Sequence, residues 1–480
     1  MDKDLQSLQE VRDLMRRARE AARQMRGLDP KQAWEIAHEV GPRLKTRAAY
    51  YATKTVEQTQ IGRVEHKVLK NTMACETTLS EYGQHPLGGV RRDEARRLIE
   101  IGRPAGVVVG LSNSTSPVAT IIFKAMLALL TRNVIVFSPH PVALDVCGEV
   151  VDELHDLGVV AGAPEHWIQI QRSPTLAATE ALMQHEYTDL IVATGGTPMV
   201  RAAYRSGNPT IGVGSGNTPV YVDASADVAQ AARQLVEGKF FDYGSACTSP
   251  SVALVHQEVL QATLEGLLQA NAHVCSPAQS EAVAQHLYPN GGFNAAFVGR
   301  SPRVIASACG FEVPEDCQAL VCVFQAQAGH VMFKEKLSPV LGLVCVASVD
   351  EAIDNARHML ARGGAGHTCG IHTSCEKQAV YWAAALDYYR VVVNGVTTTG
   401  ATGTGTGLPY TFTVGTGYAG KSSFGDNLGA APWMDFKRVA FPLPAAESRA
   451  EAPGAASSTP SREQVRLWIK EELSAARAQR

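Results

Sequence analysis

The sequence predicts an α/β protein with two large domains, each built on a mostly parallel sheet. Its 480 residues exceed what one hydrophobic core normally supports. Short runs rich in Val and Ile alternate with helical segments, and these runs are continuously apolar. Continuous apolar runs are typical of parallel strands that helices cover on both faces. We therefore expect a layered fold with a domain boundary near residue 216.

The first domain is expected to span residues 1–215 and to begin with helices. An apolar stripe at helical spacing marks the first helix: Leu5, Leu8, Val11, Leu14 and Met15. From Gly106 the pattern reads strand, loop, helix, strand, as "GVVVGL", "SNSTSP", "VATIIFKAMLALLT" and "NVIVFS". It continues with a helix over 142–157, the strand "WIQIQ", a helix ending near Gln184, the strand "DLIVAT" and a helix beginning near Pro198. This series predicts a doubly wound sheet whose ligand lies outside the carboxyl ends of the strands.

The second domain is expected over residues 216–395. It has the strand signals "VYVD", "SVALVH", "QALVCVFQ" and "LGLVCVAS", and a helix through "DVAQAARQLVEGKFFDYG". Cys247 falls where this helix gives way to a strand, among Gly, Ser, Ala and Thr. Free cysteines usually have bulky core neighbours, so these small ones indicate that another molecule approaches the sulfur. Residues 396–443, rich in Thr and Gly, are expected to form a ribbon or a cleft-lining return segment.

Composition narrows the class of protein. The net charge of −3 and the 6% aromatic content give no reason to expect a nucleic-acid partner, which favours a small molecule. The charged start and the absence of an 18-residue apolar run argue against a membrane protein. Ten cysteines without a CxxC pair favour a reducing compartment, so we predict a cytoplasmic location.

Two glycine-rich turns are candidate cofactor sites. "TGGTPMV", from Thr194, offers bare backbone amides at a helix start, which suits a phosphate, although an ordinary strand-to-helix turn reads the same way. "GTGYAG", from Gly415, matches a dinucleotide fingerprint literally. The residues after it cannot form the amphipathic helix that this fingerprint requires, so we interpret it as a chance match.

No metal site is predicted. The nearest metal-like spacing is "CGIHTSC", with Cys369, His372 and Cys375. If the segment is a strand, alternation places the two cysteines on one face and His372 on the other.

Seven motifs in order resemble one family. They are "SNSTSP", "FSPHP", "ATGGTPMV", "GVGSGNTPV", "FFDYGSACTSPSV", "EKLSPVLG" and "GGAGHT". Together they resemble the CoA-acylating aldehyde dehydrogenases, including the aldehyde domain of bifunctional aldehyde-alcohol dehydrogenases and the propionaldehyde and acetaldehyde dehydrogenases of bacterial microcompartments. The resemblance implies an aldehyde dehydrogenase-like fold: a Rossmann-type cofactor domain, an α/β catalytic domain and a β-ribbon oligomerisation element within 396–443. It also implies a homo-oligomer, a dimer or a tetramer.

The resemblance implies roles for the reacting groups. Cys247 matches the nucleophile, and we expect the pKa of its thiol to be lowered. Asn113 matches the oxyanion donor, although a helix-capping residue would look the same. His367 in "GGAGHT" matches a histidine of acylating relatives that could assist thiolysis, or it is a structural residue.

The remaining matches concern the cofactors, which the resemblance implies are NAD and coenzyme A. Glu335 matches the residue that holds the nicotinamide ribose. The dinucleotide phosphates would lie against the turn after the strand "DLIVAT", and the adenosine end near "FSPHP". The residues assigned to the dinucleotide in this way are Glu335, Thr194, Gly195, Gly196, Gly214, Ser138 and His140.

One position separates the acylating branch from the hydrolytic one. Hydrolytic relatives carry a water-activating glutamate 34 residues before the nucleophile, and counting back from Cys247 reaches Val213. Without a carboxylate there, a nucleophile better than water is needed, which favours coenzyme A. The predicted reaction converts a short-chain aldehyde, propionaldehyde or acetaldehyde, with NAD and CoA into acyl-CoA and NADH.

Three alternatives stay open. Lys421, in "GYAGKSS", would favour an anionic substrate such as sulfoacetaldehyde if it lay near the acyl pocket, or it is a solvated surface lysine. A hydrolytic aldehyde dehydrogenase is the second alternative. An inactive scaffold or binding protein is the third.

The tail is predicted to be a linker over 444–460 and an amphipathic helix over 461–480. Ser461 is a suitable N-cap, and one face carries Val465, Trp468, Ile469, Leu473 and Ala476. A short helix is marginal alone in water, so this apolar face suits a partner. The arrangement resembles encapsulation peptides, which implies microcompartment shell proteins as partners and a microcompartment lumen as location. A frayed tail, or a helix docked on its own oligomer, remains an alternative.

Overall fold

The computed structural model describes residues 3–327 and 329–443. The predicted linker over 444–460 and the predicted helix over 461–480 lie outside the described residues. None of the helices in the described ranges combines the length and apolar character needed to cross a membrane.

The first half of the chain forms a five-stranded parallel sheet in the order β5-β4-β3-β6-β7. The sheet consists of β3 Val107–Leu111, β4 Val134–Ser138, β5 Ile168–Ile170, β6 Leu190–Thr194 and β7 Thr210–Val213. Two strands of another sheet precede it along the chain, β1 Gly89–Asp93 and β2 Leu98–Pro104. Every residue of β3, β4 and β6 is buried, as their continuously apolar sequences predict.

Eight helices accompany these strands in the described part of the chain. They are α1 Lys3–Gly27, α2 Pro30–Lys45, α3 Ala48–Thr59, α4 Val64–Tyr82, α5 Pro117–Thr131, α6 Leu144–Val160, α7 Leu176–Gln184 and α8 Thr197–Arg205. Helix α5 is buried over its whole length, in keeping with its all-round apolar sequence. It places the loop that precedes it, residues 112–116, at the carboxyl end of β3.

The second half forms a seven-stranded parallel sheet in the order β10-β11-β12-β9-β8-β13-β14. Its strands are β8 Thr218–Val222, β9 Pro250–His256, β10 Ala272–Val274, β11 Ala319–Val323, β12 Val340–Val346, β13 Thr368–His372 and β14 Arg390–Val393. The helices are α9 Val228–Phe240, α10 Leu260–Gln269, α11 Pro277–Leu287, α12 Pro302–Ala308, α13 Val349–Leu360, α14 Glu376–Ala385 and α15 Thr397–Gly400. Two parallel sheets with covering helices confirm the predicted α/β class.

A third, antiparallel sheet has the order β1-β2-β15, with β15 at Met434–Ala440. The predicted ribbon segment 396–443 therefore supplies one strand of this sheet, and β1 and β2 supply the others. Several residues of the remaining segment, between Thr398 and Val414, line a cavity instead.

The motifs "CGIHTSC" and "GTGYAG" both lie within the described residues. Only Cys369 and His372 lie in β13, whereas Cys375 is the exposed N-cap of α14, so the predicted single strand through "CGIHTSC" is wrong. These three residues form no metal-ligating group in the described ranges. In the same ranges, no helix follows "GTGYAG" before the short turn at Ala431–Trp433.

Candidate active site

A cavity of about 230 Å³ lies where the carboxyl ends of β3, β6 and β7 meet the loop before β9. Both halves of the chain line it, together with residues of the Thr-rich segment. Seven of the predicted site residues are among the lining residues: Asn113, Thr194, Gly195, Gly196, Gly214, Cys247 and Glu335. The structure thus brings together groups that are far apart in sequence.

Cys247 is placed by an unusual turn. Helix α9 ends at Phe240, and Asp242 and Tyr243 both adopt left-handed backbone conformations, with φ of 51° and 50°. The chain then passes Cys247 and enters β9 at Pro250. Gly216 packs against this turn so closely that a Cβ on it would lie 1.8 Å from the Cys247 carbonyl oxygen. Only glycine fits at position 216.

The electrostatic surroundings of the thiol differ from the expectation. Burial raises the pKa of the Cys247 thiol to about 12, and the Glu335 carboxylate acts in the same direction. The cations of Lys70 and Arg390 act in the opposite direction. The lowered pKa expected from the sequence is not found, because loss of hydration outweighs both cations.

A buried charge cluster supports the Cys247 turn. The Asp242 carboxylate accepts hydrogen bonds from Lys67 Nζ at 2.9 Å, Lys70 Nζ at 2.5 Å and Ser245 Oγ at 3.2 Å. Burial alone would raise the pKa of Asp242, but the two ammonium groups outweigh it and hold the pKa well below its ordinary value. Sequence reasoning missed this cluster, since lysines at helical spacing in α4 read as a solvated face.

Asn113 lies in the loop between β3 and α5. Its Oδ1 accepts the backbone N–H of Ser116 at 3.0 Å, but Ser116 is itself the N-cap of α5, so Asn113 orders the loop before the helix and is not the helix cap of the alternative interpretation. The same bond leaves the Nδ2 amide as a donor at the cavity wall. Ordering this loop and donating to an oxyanion are therefore compatible, because they use different atoms of one side chain. Lys70 donates to Ser116 Oγ at 2.8 Å and so links this loop to the charge cluster.

The glycine-rich turn after β6 leads into a helix whose first turn has no side-chain cap. Helix α8 begins at Thr197 after Gly196, and no side chain caps its first turn. Thr194, Gly195 and Gly196 line the cavity on this side, and Gly214 faces the turn from the end of β7. Uncapped amides at a helix N-terminus suit the pyrophosphate of a dinucleotide, so these residues fit NAD.

Glu335 is half-buried in the cavity wall and is not the surface glutamate of the alternative interpretation. Its Oε1 accepts the N–H of Gly216 at 3.0 Å. Burial raises the pKa of Glu335 to about 8, although that hydrogen bond and the cations of Lys239 and Lys336 oppose the shift. A largely protonated carboxyl group at neutral pH can both donate to and accept from ribose hydroxyls.

Three predicted residues lie outside the cavity lining. Ser138 ends β4, and its Oγ bonds Gln171 Oε1 and Thr179 Oγ1, both at 3.0 Å. His140 Nδ1 accepts the backbone N–H of Val142 at 3.3 Å, and burial lowers its pKa. His367 is fully buried beside Arg390, and burial lowers the pKa of its imidazole to about 3.

Lys421 also lies away from the cavity. It is exposed, in a left-handed turn with φ of 60°, and does not line the cavity wall. The lysine that does line the wall is Lys70. The structure therefore favours the solvated surface interpretation of Lys421, and the anionic-substrate alternative loses the residue on which it was based.

Comparison with known proteins identifies the family. The sequence model described as the aldehyde dehydrogenase family matches residues 4–283, and the chain belongs to this family. A solved acetylating aldehyde dehydrogenase from Geobacillus thermoglucosidasius shares 37% identity with a TM-score of 0.90, covering 92% of this chain and 98% of that one. A propionaldehyde dehydrogenase from a Clostridium phytofermentans fucose-utilisation microcompartment shares 26% identity with a TM-score of 0.82, covering 90% and 97%.

Curated relatives point the same way. The bifunctional aldehyde-alcohol dehydrogenase of Escherichia coli is 33% identical over 442 residues, which are 90% of this chain and 49% of that protein. The acetylating succinate-semialdehyde dehydrogenase of Clostridium kluyveri is 30% identical over 434 residues, 90% of this chain and 95% of that one. The chain spans about half the length of the bifunctional relatives that it matches.

Proposed function

We propose that this protein is a CoA-acylating aldehyde dehydrogenase. It converts a short-chain aldehyde, NAD and CoA into acyl-CoA and NADH through a thioester on Cys247. The observation that carries the proposal is the wall around Cys247, where Val213 stands at the position of the hydrolytic glutamate and lines the cavity. The names of the acetylating relatives support the same reaction.

The residues of this chain have defined tasks in that reaction. The Cys247 thiolate adds to the aldehyde carbonyl and gives a hemithioacetal, whose oxygen is held by Asn113 Nδ2 and the backbone N–H of Cys247. Such a donor is typically worth about 10² to 10³ in rate. NAD, when bound, would accept the hydride, and the turn before α8 and Glu335 would hold it. Oxidation leaves an acyl thioester on Cys247.

Release of the acyl group then depends on the incoming nucleophile. Val213 is an apolar side chain and cannot take a proton from water. Glu335, the carboxyl group among the described lining residues, already accepts the Gly216 N–H. The CoA thiolate needs no general base once it is ionised. It is therefore the nucleophile that suits a cavity wall without a group to deprotonate water.

A product analysis tests the proposal. Propionaldehyde and NAD are supplied with and without CoA, and NADH, propionyl-CoA and propionate are measured. We expect sustained NADH formation and propionyl-CoA only with CoA present. Sustained turnover without CoA, with propionate as product, would show a hydrolytic enzyme, and no NADH under any condition would favour a scaffold.

We also propose two larger associations. The exposed Val90 and Val439 on the β1-β2-β15 sheet favour an oligomer assembled through this sheet, a dimer or a tetramer. The amphipathic pattern of residues 461–480 and the likeness to a microcompartment enzyme support a shell-protein partner and a microcompartment location.

A further inference from the structure

Two buried hydroxyl groups beside the cavity have no hydrogen-bond partner among the described residues. Thr120, on the first turns of α5, has no exposed surface, and Tyr410 is 3% exposed. Thr120 Oγ1 and Tyr410 Oη both lack a partner, and both residues line the cavity. Buried hydroxyls are normally paired, so two unpaired ones on one wall indicate that a bound molecule supplies the missing partners.

These two residues are neighbours through helix α5. The Tyr410 ring contacts Phe123 of α5, one turn beyond Thr120, with ring centroids 6.2 Å apart. Other threonines of this wall are satisfied by the fold itself: Thr248 donates to the Thr398 carbonyl and Thr398 to the Gly238 carbonyl, each at 2.8 Å. The two unpaired hydroxyls are therefore not a general property of the Thr-rich wall.

A third donor faces the same wall. The Lys70 ammonium group lines the cavity and uses two of its three N–H donors, on Asp242 and on Ser116. Because Lys67 and Lys70 share the single Asp242 carboxylate, the cluster has more cationic than anionic groups. The surroundings favour a ligand atom that accepts hydrogen bonds.

We infer that the substrate is an aldehyde whose chain carries an oxygen that accepts hydrogen bonds, rather than a plain alkyl aldehyde. The inference rests on the proposed function and names the substrate class of the same site. A hydroxyl or a carboxylate oxygen would take the donors of Thr120, Tyr410 and Lys70, and the hydrophobic walls of Met73 and Phe412 would enclose the carbon chain. An alkyl group there would leave all three donors unsatisfied.

Size-matched substrate pairs test the inference. Succinate semialdehyde is compared with 4-methylpentanal, and lactaldehyde with 2-methylpropanal, by kcat/KM with NAD and CoA. We expect the oxygen-bearing member to be preferred by about tenfold or more in at least one pair. A preference for succinate semialdehyde would indicate that the site binds a carboxylate, and a preference for lactaldehyde would indicate that it binds a hydroxyl group.

Substitutions of Thr120 and Tyr410 test whether their hydroxyl groups cause the preference for an oxygen-bearing aldehyde. Thr120→Val and Tyr410→Phe are expected to reduce the ratio within the preferred pair by about tenfold. Thr78→Val is the control, because Thr78 is also fully buried on a helix with an unpaired hydroxyl but does not line the cavity. It is expected to leave the ratio unchanged.

Binding to a Cys247→Ala variant gives a readout that does not need turnover. Calorimetry with the same four aldehydes is expected to rank the oxygen-bearing member first. Equal or better kcat/KM and binding for the alkyl members, or ratios that Thr120→Val and Tyr410→Phe leave unchanged, would overturn the inference. CoA-dependent turnover without a preference would retain the proposed function and remove only this substrate class.

Discussion

At the scale of single residues, Cys247 combines a nucleophilic atom with surroundings that resist its ionisation. Its backbone lies against Gly216, and burial raises the pKa of its thiol to about 12. Ionisation of this thiol therefore costs free energy, because the thiolate loses hydration in the buried site. The cations of Lys70 and Arg390 lower that cost.

Cys247→Ser tests the nucleophile. The variant is expected to fold with an unchanged melting temperature and to lose essentially all dehydrogenase activity, because a serine hydroxyl ionises far less readily than a thiol. NADH formation and thermal unfolding are measured on the same preparation. Cys345→Ser is the control, since Cys345 is exposed and distant in sequence from the site, and it should keep full activity. Turnover by Cys247→Ser near that of the unmodified protein would contradict the mechanism.

The predicted site residues that line the cavity share one property: they stand in short motifs with a local backbone signal. Thr194 and Gly196 follow a strand and open a helix, and Cys247 is surrounded by small residues. Asp242 and Lys70 give no such signal, because their pairing joins positions 172 residues apart. Their importance comes from burial, which a single sequence does not display.

At the scale of elements, helix α4 is joined to the Cys247 turn through charge. Lys67 and Lys70 lie one turn apart on α4 and both bond Asp242. Gly62, just before α4, packs so tightly on this carboxylate that a Cβ would lie 1.9 Å from Asp242 Oδ1. The cluster therefore fixes the turn relative to the loop of Asn113.

Asp242→Asn tests this cluster. The variant leaves two buried ammonium groups without a carboxylate, and we expect a loss of about 3–5 kcal/mol in the free energy of unfolding. Glu149→Gln is the control, because Glu149 pairs with Lys54 at the surface and should change stability by less than about 1 kcal/mol. Denaturant unfolding at pH 7 measures both. Equal effects of the two substitutions would contradict a structural role of the buried cluster.

The pH dependence of the free energy of unfolding follows from the direction in which folding shifts the pKa of Asp242. Since the pKa of Asp242 is lower in the folded state than in the unfolded chain, its contribution is complete above about pH 4 and declines as the pH falls further. The stability gap between the unmodified protein and Asp242→Asn should therefore narrow in acid. A gap that widens from pH 5 to pH 3 would show that another group causes the effect.

Element prediction from the sequence succeeded where the burial pattern was simple. The strands β3, β4 and β6 are buried on both faces, and their apolar runs are unmistakable. Strand β1, "GVRRD", is short and largely exposed, so no apolar signal marks it. Its place in a sheet is set by pairing with β2, which itself pairs with β15 from the far end of the described chain.

At the scale of the whole molecule, we expect that residues 461–480 are not needed for the catalytic activity. Residues 461–480 fused to a fluorescent protein are expected to localise to shells when shell proteins are co-expressed, because the helix predicted there would have an apolar face that needs a partner. A fusion in which Trp468 and Ile469 are replaced by Ser is the control and should stay diffuse. Deleting the tail should leave the activity of the enzyme nearly unchanged. A diffuse unmodified fusion beside assembled shells would rule out the targeting role.

In the proposed mechanism, Cys247 carries an acyl thioester that CoA, and not water, releases. Enzyme, an accepted aldehyde and NAD are mixed without CoA, and NADH is followed at millisecond resolution while peptide mass spectrometry examines Cys247. We expect a burst of about one NADH per active site, an acyl group on Cys247, and its release as acyl-CoA when CoA is added. Continuous NADH formation without CoA, or a burst that leaves Cys247 unmodified, would contradict this mechanism.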